Sequence, residues 1–112
     1  MNDRIKESDW KQFKKLRPLA LQRYCKRVIQ EVRQVLDEEV QDAHEQYLKM
    51  YKKVDEGDRK LAKLFDGGFS RSKAFIHLLM FYREDLIKDD ELRRLSDENY
   101  SRIKSIVDGG SE

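Results

Sequence analysis

From Trp10 to Val35 the apolar residues Trp10, Phe13, Ala20, Leu21, Tyr24, Val28, Val32 and Val35 return at helical intervals. That spacing predicts a helix with one apolar stripe. Ser8 is its expected N-cap, and Asp9 suits the positive end of the helix. Pro18 interrupts the stripe without shifting its phase, which predicts a kink, or a short helix running into a long one. Ala43, Tyr47, Tyr51, Val54, Leu61 and Phe65 form a second stripe and predict a helix from about Val40 to Phe65. Gly57 weakens that helix by about 1 kcal/mol relative to Ala. The phase is unbroken on either side of it, so the helix is expected to continue. Asp66-Gly67-Gly68 then reads as a glycine-terminated helix end, with Ser70 or Ser72 capping the next helix.

The stretch Ala74 to Tyr82 is apolar on nearly every side and predicts a helix buried in most directions. "DDELRRL" reads as a short helix. Ser96 is the expected cap of a last helix, on which Tyr100, Ile103 and Val107 share a face. The fold class is all-α: a small bundle of four to five helices, two of them long, around a buried third. Residues 1-112 form one domain, with 1-7 and 108-112 expected to fray. Two stripes cover about two sides of the third helix. Phe75, Leu79 and Tyr82 are then left as a candidate interface, which predicts a homodimer through that helix. In the competing arrangement the segment around Trp10 and Phe13 folds over and seals the third helix within one chain.

Composition sharpens this picture. Charged residues are 41% of the chain and hydrophobic residues 38%, enough for helices with one buried stripe. Five glycines and one proline leave few breakers, which favours long helices. The lone Cys25 has no disulfide partner and fits a reducing compartment. The N-terminus lacks an apolar signal region and no stretch approaches a membrane span, so the expected location is cytoplasmic. The net charge of +2 is unevenly spread. Ten bases and four acids precede Asp37, six bases and nine acids run from Asp37 to Asp66, and eight and nine follow. Lys15, Lys26 and Arg33 on the first helix are therefore the candidate polyanion face. The acids that follow, and the lack of any helix-turn-helix, zinc-finger or RNP pattern, argue against specific nucleic-acid binding.

Little in the chain reads as chemistry. "FDGGFSRSKA" has the residue types of a phosphate loop, but its glycines are adjacent, Lys73 precedes Ala74, and a helix comes before it, so P-loop spacing and context both fail. "HEQYL" begins like a zinc helix, but Leu48 stands where the second histidine belongs. Cys25 at the stripe edge reads as a small structural residue, and no metal or cofactor is expected. Asp58 lies on the second stripe, where a carboxylate is costly to bury unpaired. It is expected to pair with Arg71, Lys73, Arg83 or a serine hydroxyl at the start of the third helix. His77 is a further candidate contact for it, and together these five residues are the candidate buried polar or ligand site.

"SDWKQF", "ALQRYCKRV", "AHEQYLKMYK", "DRKLAKLFDG", "SRSKA" and "DDELRRLSDE" follow in order from Ser8 to Glu98. In these stretches the chain resembles a family of small uncharacterised bacterial all-helical proteins with no established function. The resemblance implies a bacterial, cytoplasmic, helical protein and carries over no catalytic residue or ligand. It also implies that Asp58, the Asp66-Gly67 turn and Ser70-Arg71-Ser72 belong to the family pattern. The expected function is a non-enzymatic protein-interaction or regulatory module. The alternative is a nucleic-acid-associated regulator using the basic face of the first helix.

Overall fold

The computed structural model describes residues 5–109, and among them every regular element is helical. α1 spans Glu7–Asp37, α2 Ala43–Phe65, α3 Ala74–Arg83, α4 Asp89–Leu92 and α5 Asp97–Gly109, with a 3₁₀ turn at Arg71–Lys73 leading into α3. The all-α architecture expected from the hydrophobic pattern is the one observed.

α1 is one helix of 31 residues with Pro18 inside it, so no short helix precedes a long one. Pro18 and Lys14, whose carbonyl loses its helical donor, both lie on the exposed side, where water can replace the missing N–H. Ser8 is not the cap: the helix starts at Glu7, and no side chain caps it. α2 begins later than Val40, because Asp42 accepts from the backbone N–H groups of His44 (2.9 Å) and Glu45 (3.3 Å) and fixes the start at Ala43. It runs through Gly57 to Phe65. Gly67 (φ +89°) and Gly68 (φ +57°) then supply the left-handed conformations that end it. Ser70 precedes the 3₁₀ turn, but its hydroxyl meets that of Ser72 (3.0 Å) instead of capping a backbone N–H.

The core forms around Phe81 of α3. Its ring stacks on Phe13 of α1 (6.3 Å between centroids) and on Phe65 of α2 (5.1 Å). Leu16, Ala20 and Leu64 extend this layer, and Leu86, Ile87, Leu92, Leu95 and Ile103 close it from the far side. One chain therefore covers most of α3, with the Trp10–Phe13 segment packed over it, and leaves Ile76 47% exposed. Within the chain, little of Phe75, Leu79 and Tyr82 is left open for the interface expected there. Leu79 is only 6% exposed. Phe75 is half-buried beneath the Arg102 guanidinium, 4.3 Å from its ring centre. Tyr82 is half-buried beneath Lys104, whose ammonium donates to the phenol oxygen (3.1 Å). The leucines and isoleucine of the Leu86–Leu95 corner are the cover that the two-stripe reading left out.

Buried polar groups tie the same elements together. Asp9, 1% exposed, accepts from the Ser96 N–H and hydroxyl (2.6 Å each) and from the Asn99 amide (2.7 Å). Its charge thus sits at the N-terminus of α5, where the backbone has unpaired donors. Arg23 forms a two-pronged pair with Glu91 (2.7 and 2.8 Å) and also donates to the Leu86 carbonyl (3.0 Å). Glu91 in turn accepts from the Lys88 N–H (2.8 Å), closing the start of α4. Residues 5–7 and 108–109, within the ends expected to fray, have defined places in the fold. Ile5 is buried, its carbonyl accepts twice from Arg71, and α5 stays helical to Gly109. The remainder of the terminal expectation, 1–4 and 110–112, lies outside the described residues.

The molecule measures 57 × 27 × 23 Å, with a radius of gyration of 17.1 Å. A compact chain of this length has about 13 Å. The excess comes from an arm. The body reaches α1 as far as Arg27, which donates to the Glu84 carbonyl (3.0 Å), and α2 as far as Lys60, which pairs with Glu84 (2.6 Å). Between those points the polar contacts of α1 and α2 are with each other or within one helix.

Candidate functional site

The arm is a helical hairpin whose two strands of packing differ in chemistry. Val28 of α1 lies so near Gly57 of α2 that a Cβ there would fall 2.9 Å from its methyl carbon. The Tyr24 hydroxyl donates to the Gly57 carbonyl (2.8 Å). Glycine inside a helix is thus explained by close approach of two backbones. Nearer the tip, the Gln46 amide donates to the carbonyls of Val35 (3.0 Å) and Leu36 (3.3 Å), satisfying the end of α1. Val35 is the buried apolar residue of this outer part.

The α2 stripe does not face α1 here. Gln46, Met50, Lys53, Asp55 and Gly57 are the partly covered positions of the first part of α2. Tyr47 is 61% exposed, Tyr51 62% and Val54 42%. α1 carries a second apolar line at Cys25, Ile29, Val32 and Leu36, beside the one that meets α2. That line and Val54, Gly57, Asp58 and Leu61 of α2 form the walls of an open groove of about 510 Å³ running between the helices. Arg33 on the α1 wall and Asp58 on the α2 wall are its charged residues. The Glu84–Asp85 corner packs on the other face of the hairpin, at Arg27 and Lys60, so no described residue covers the groove.

Asp58 is therefore exposed, and among the described residues it makes no hydrogen bond or ion pair. The expected pairing with Arg71, Lys73 or Arg83 does not occur. Those residues lie past the C-terminal end of α2, on the turn before α3 and at the end of α3. Arg71 is spent on the Ile5 carbonyl and on Glu7 (2.8 Å). Lys73 is exposed beside Gly67, and Arg83 is exposed at the end of α3. His77 is buried in the body against Phe13 and Phe81, with no partner for Nδ1 among the described residues. Burial, aided by the positive charges of Arg17 and Lys73, lowers its pKa below the ordinary value of 6.5. The five candidate polar residues do not form one site.

The basic face is only partly free. Lys15, Lys26 and Arg33 are exposed, but Arg23 and Arg27 beside them are bound to Glu91 and to the Glu84–Asp85 corner. Cys25 is a half-buried free thiol on the groove wall. Among the described residues no group of three histidine, cysteine or acidic side chains is placed to hold a metal ion. No helix among them is long and apolar enough to cross a membrane.

The first-stripe reading missed Ile29 and Leu36, although a signal for them was present. Cys25, Ile29, Val32 and Leu36 repeat at four, three and four, so this part of α1 is apolar over two adjacent faces. A helix of a two-helix arm has one neighbour to cover one of them. No protein-family model, no curated protein and no solved structure matches the chain. The resemblance seen in the sequence rests on its own residues.

Proposed function

We propose that the protein is a non-enzymatic interaction module that self-associates through the open face of the α1–α2 arm. One observation carries this reading: Ile29 and Leu36 of α1 and Val54 and Leu61 of α2 line an apolar groove that the described residues leave open, and Tyr47 and Tyr51 continue the α2 stripe in the open beyond it. Apolar patches of this kind on a soluble domain mark contact surfaces. The homodimer first expected through Phe75, Leu79 and Tyr82 thus moves to the arm, where the exposed apolar residues Ile29, Leu36, Tyr47, Tyr51 and Val54 gather on two adjoining helices. A second copy supplies helices of the required kind, and a shared patch meeting itself is the commonest way to close such a surface. The basic residues Lys15, Lys26 and Arg33 give no independent support to a nucleic-acid role, because the arginines next to them are engaged within the chain.

Sedimentation equilibrium from ~1 to ~100 μM tests the reading over the range where modest interfaces dissociate. The expected result is a reversible dimer that Ile29→Lys or Val54→Lys converts to monomer without loss of helicity. A wild-type chain that stays monomeric throughout overturns it.

A further inference from the structure

Resting on the arm as the self-association surface, we infer that the two copies cross about a two-fold axis and that Arg33 and Asp58, each paired with the other in the partner subunit, set their register. The argument starts from levels along the hairpin. Val28 and Gly57 touch, so they stand opposite each other. α2 runs back along α1, which places Asp58 level with Arg27. Arg33 lies six residues farther toward the tip, ~9 Å along the axis at 1.5 Å per residue.

The two side chains are on opposite walls of the same groove. Both are exposed, and neither takes part in an ion pair among the described residues. They differ in this from Arg23, Glu91, Lys60, Glu84, Lys49 and Glu38, all of which are paired within the chain. One free positive and one free negative charge therefore flank an apolar centre at the levels of Ile29 and Val54.

That pattern is self-complementary under one kind of operation. Take a two-fold axis in the plane of the open face, midway between the two charges and perpendicular to the line joining them. It carries Arg33 of one copy onto Asp58 of the partner subunit, and Asp58 onto the partner subunit's Arg33. The arms then cross steeply, with Ile29 and Val54 buried near the axis. A two-fold axis along the arm lacks this match: it leaves the Arg33 and Asp58 levels displaced from each other. The apolar groove supplies attraction, and the two charge pairs select the direction, since like charges at such positions penalise the wrong pairing.

The test is charge reversal on the full chain, read by sedimentation equilibrium. Arg33→Asp and Asp58→Arg are each expected to weaken self-association roughly tenfold or more, because each sets like charges against one another twice. An equimolar mixture of the two variants is expected to recover wild-type affinity as a heterodimer, and so is the double variant. Helical circular dichroism is expected to stay unchanged, since both side chains are exposed and make no ion pair among the described residues. A dimer that Ile29→Lys abolishes but that ignores both reversals overturns the crossed register and leaves the arm as the contact surface. Loss in the single variants without recovery in the mixture also overturns the register. A monomeric wild-type chain overturns both.

Discussion

The two halves of α1 sit in different surroundings. The N-terminal half belongs to the body, where Phe13, Leu16 and Ala20 are fully covered and the buried charge of Asp9 has three donors. The C-terminal half belongs to the arm, where Ile29 is 51% exposed, Leu36 is 54% exposed and Arg33 has no ion-pair partner among the described residues. Yet the residue types along the two halves are alike, with apolar positions at helical spacing and bases between them. What differs is the number of neighbours. The body half meets α2, α3, α4 and the start of α5, while the arm half meets α2 alone. A hydrophobic stripe states that a face is to be covered, and only the tertiary arrangement states by what.

The sharpest break in this comparison comes from the body's buried charges. Asp9→Ala is expected to lower stability by about 3 kcal/mol, because it strands the donors of Ser96 and Asn99 at the start of α5. Glu91→Ala is expected to cost about as much by leaving Arg23 partly buried without its carboxylate. Both are measured by urea denaturation. The Arg23 guanidinium, ahead of other causes, holds the Glu91 carboxyl down to about 2 from an ordinary 4.5. A depressed acid stabilises the fold fully above the unfolded value and loses that contribution as pH falls through the folded one. Stability is therefore expected to decline from about pH 4.5 toward about pH 2, and Glu91→Gln is expected to flatten that decline.

A smaller effect is expected where body and arm join. Gly57→Ala raises helix propensity by about 1 kcal/mol, but its methyl group lands against the stiff β-branched Val28. The strain is expected to win, for a net loss of about 1 kcal/mol. Val28→Ala in the same chain is expected to relieve it. If Gly57→Ala alone is stabilising, the helices of the arm are less tightly held than the Val28 contact implies.

His77 distinguishes the body by pH. Its folded pKa is lowered, first by burial and then by Arg17 and Lys73, with Asp66 acting in the opposite direction. The unfolded chain therefore binds the proton more readily, and stability is expected to fall as pH drops below about 6.5. The slope is at most one proton. His77→Leu is expected to remove this segment of the pH profile and to leave the acid limb of Glu91 in place.

The sequence made the helices legible because their start and stop signals are local. Gly67 and Gly68 end α2, Ser96 opens α5, and Gly57 does not interrupt α2's phase. It made the core only half legible. Leu86, Ile87 and Leu95 lie outside the long helices, in and around short connections where no periodicity marks them as buried. Asp9 looked like a helix-dipole residue, because a contact with Ser96, 87 residues away in sequence, leaves no local trace. Asp58 was read as buried because it shares a stripe with Val54 and Leu61. The stripe is real, but its cover is not in the chain. The candidate surface was hidden for the same reason: spacing identifies apolar faces equally well whether their partner is internal or external.

The smallest expected effect bears most directly on the arm. Leu79→Ala in the body is expected to cost about 2–5 kcal/mol, as buried leucines do. Val54→Ser and Tyr51→Ser change residues of comparable hydrophobic character, but both already stand in water within one chain. Each is expected to shift the monomer's unfolding free energy by no more than about 0.5 kcal/mol. The measurement belongs at a dilution where sedimentation shows monomer, because association adds stability by mass action and makes it depend on concentration. Raising the concentration should then separate wild type from variant: the wild-type midpoint rises as the arm is covered, and the variant midpoint does not. A loss above about 1 kcal/mol in the dilute monomer would place Val54 or Tyr51 among groups buried by their own chain, and would make the arm an extension of the body's core.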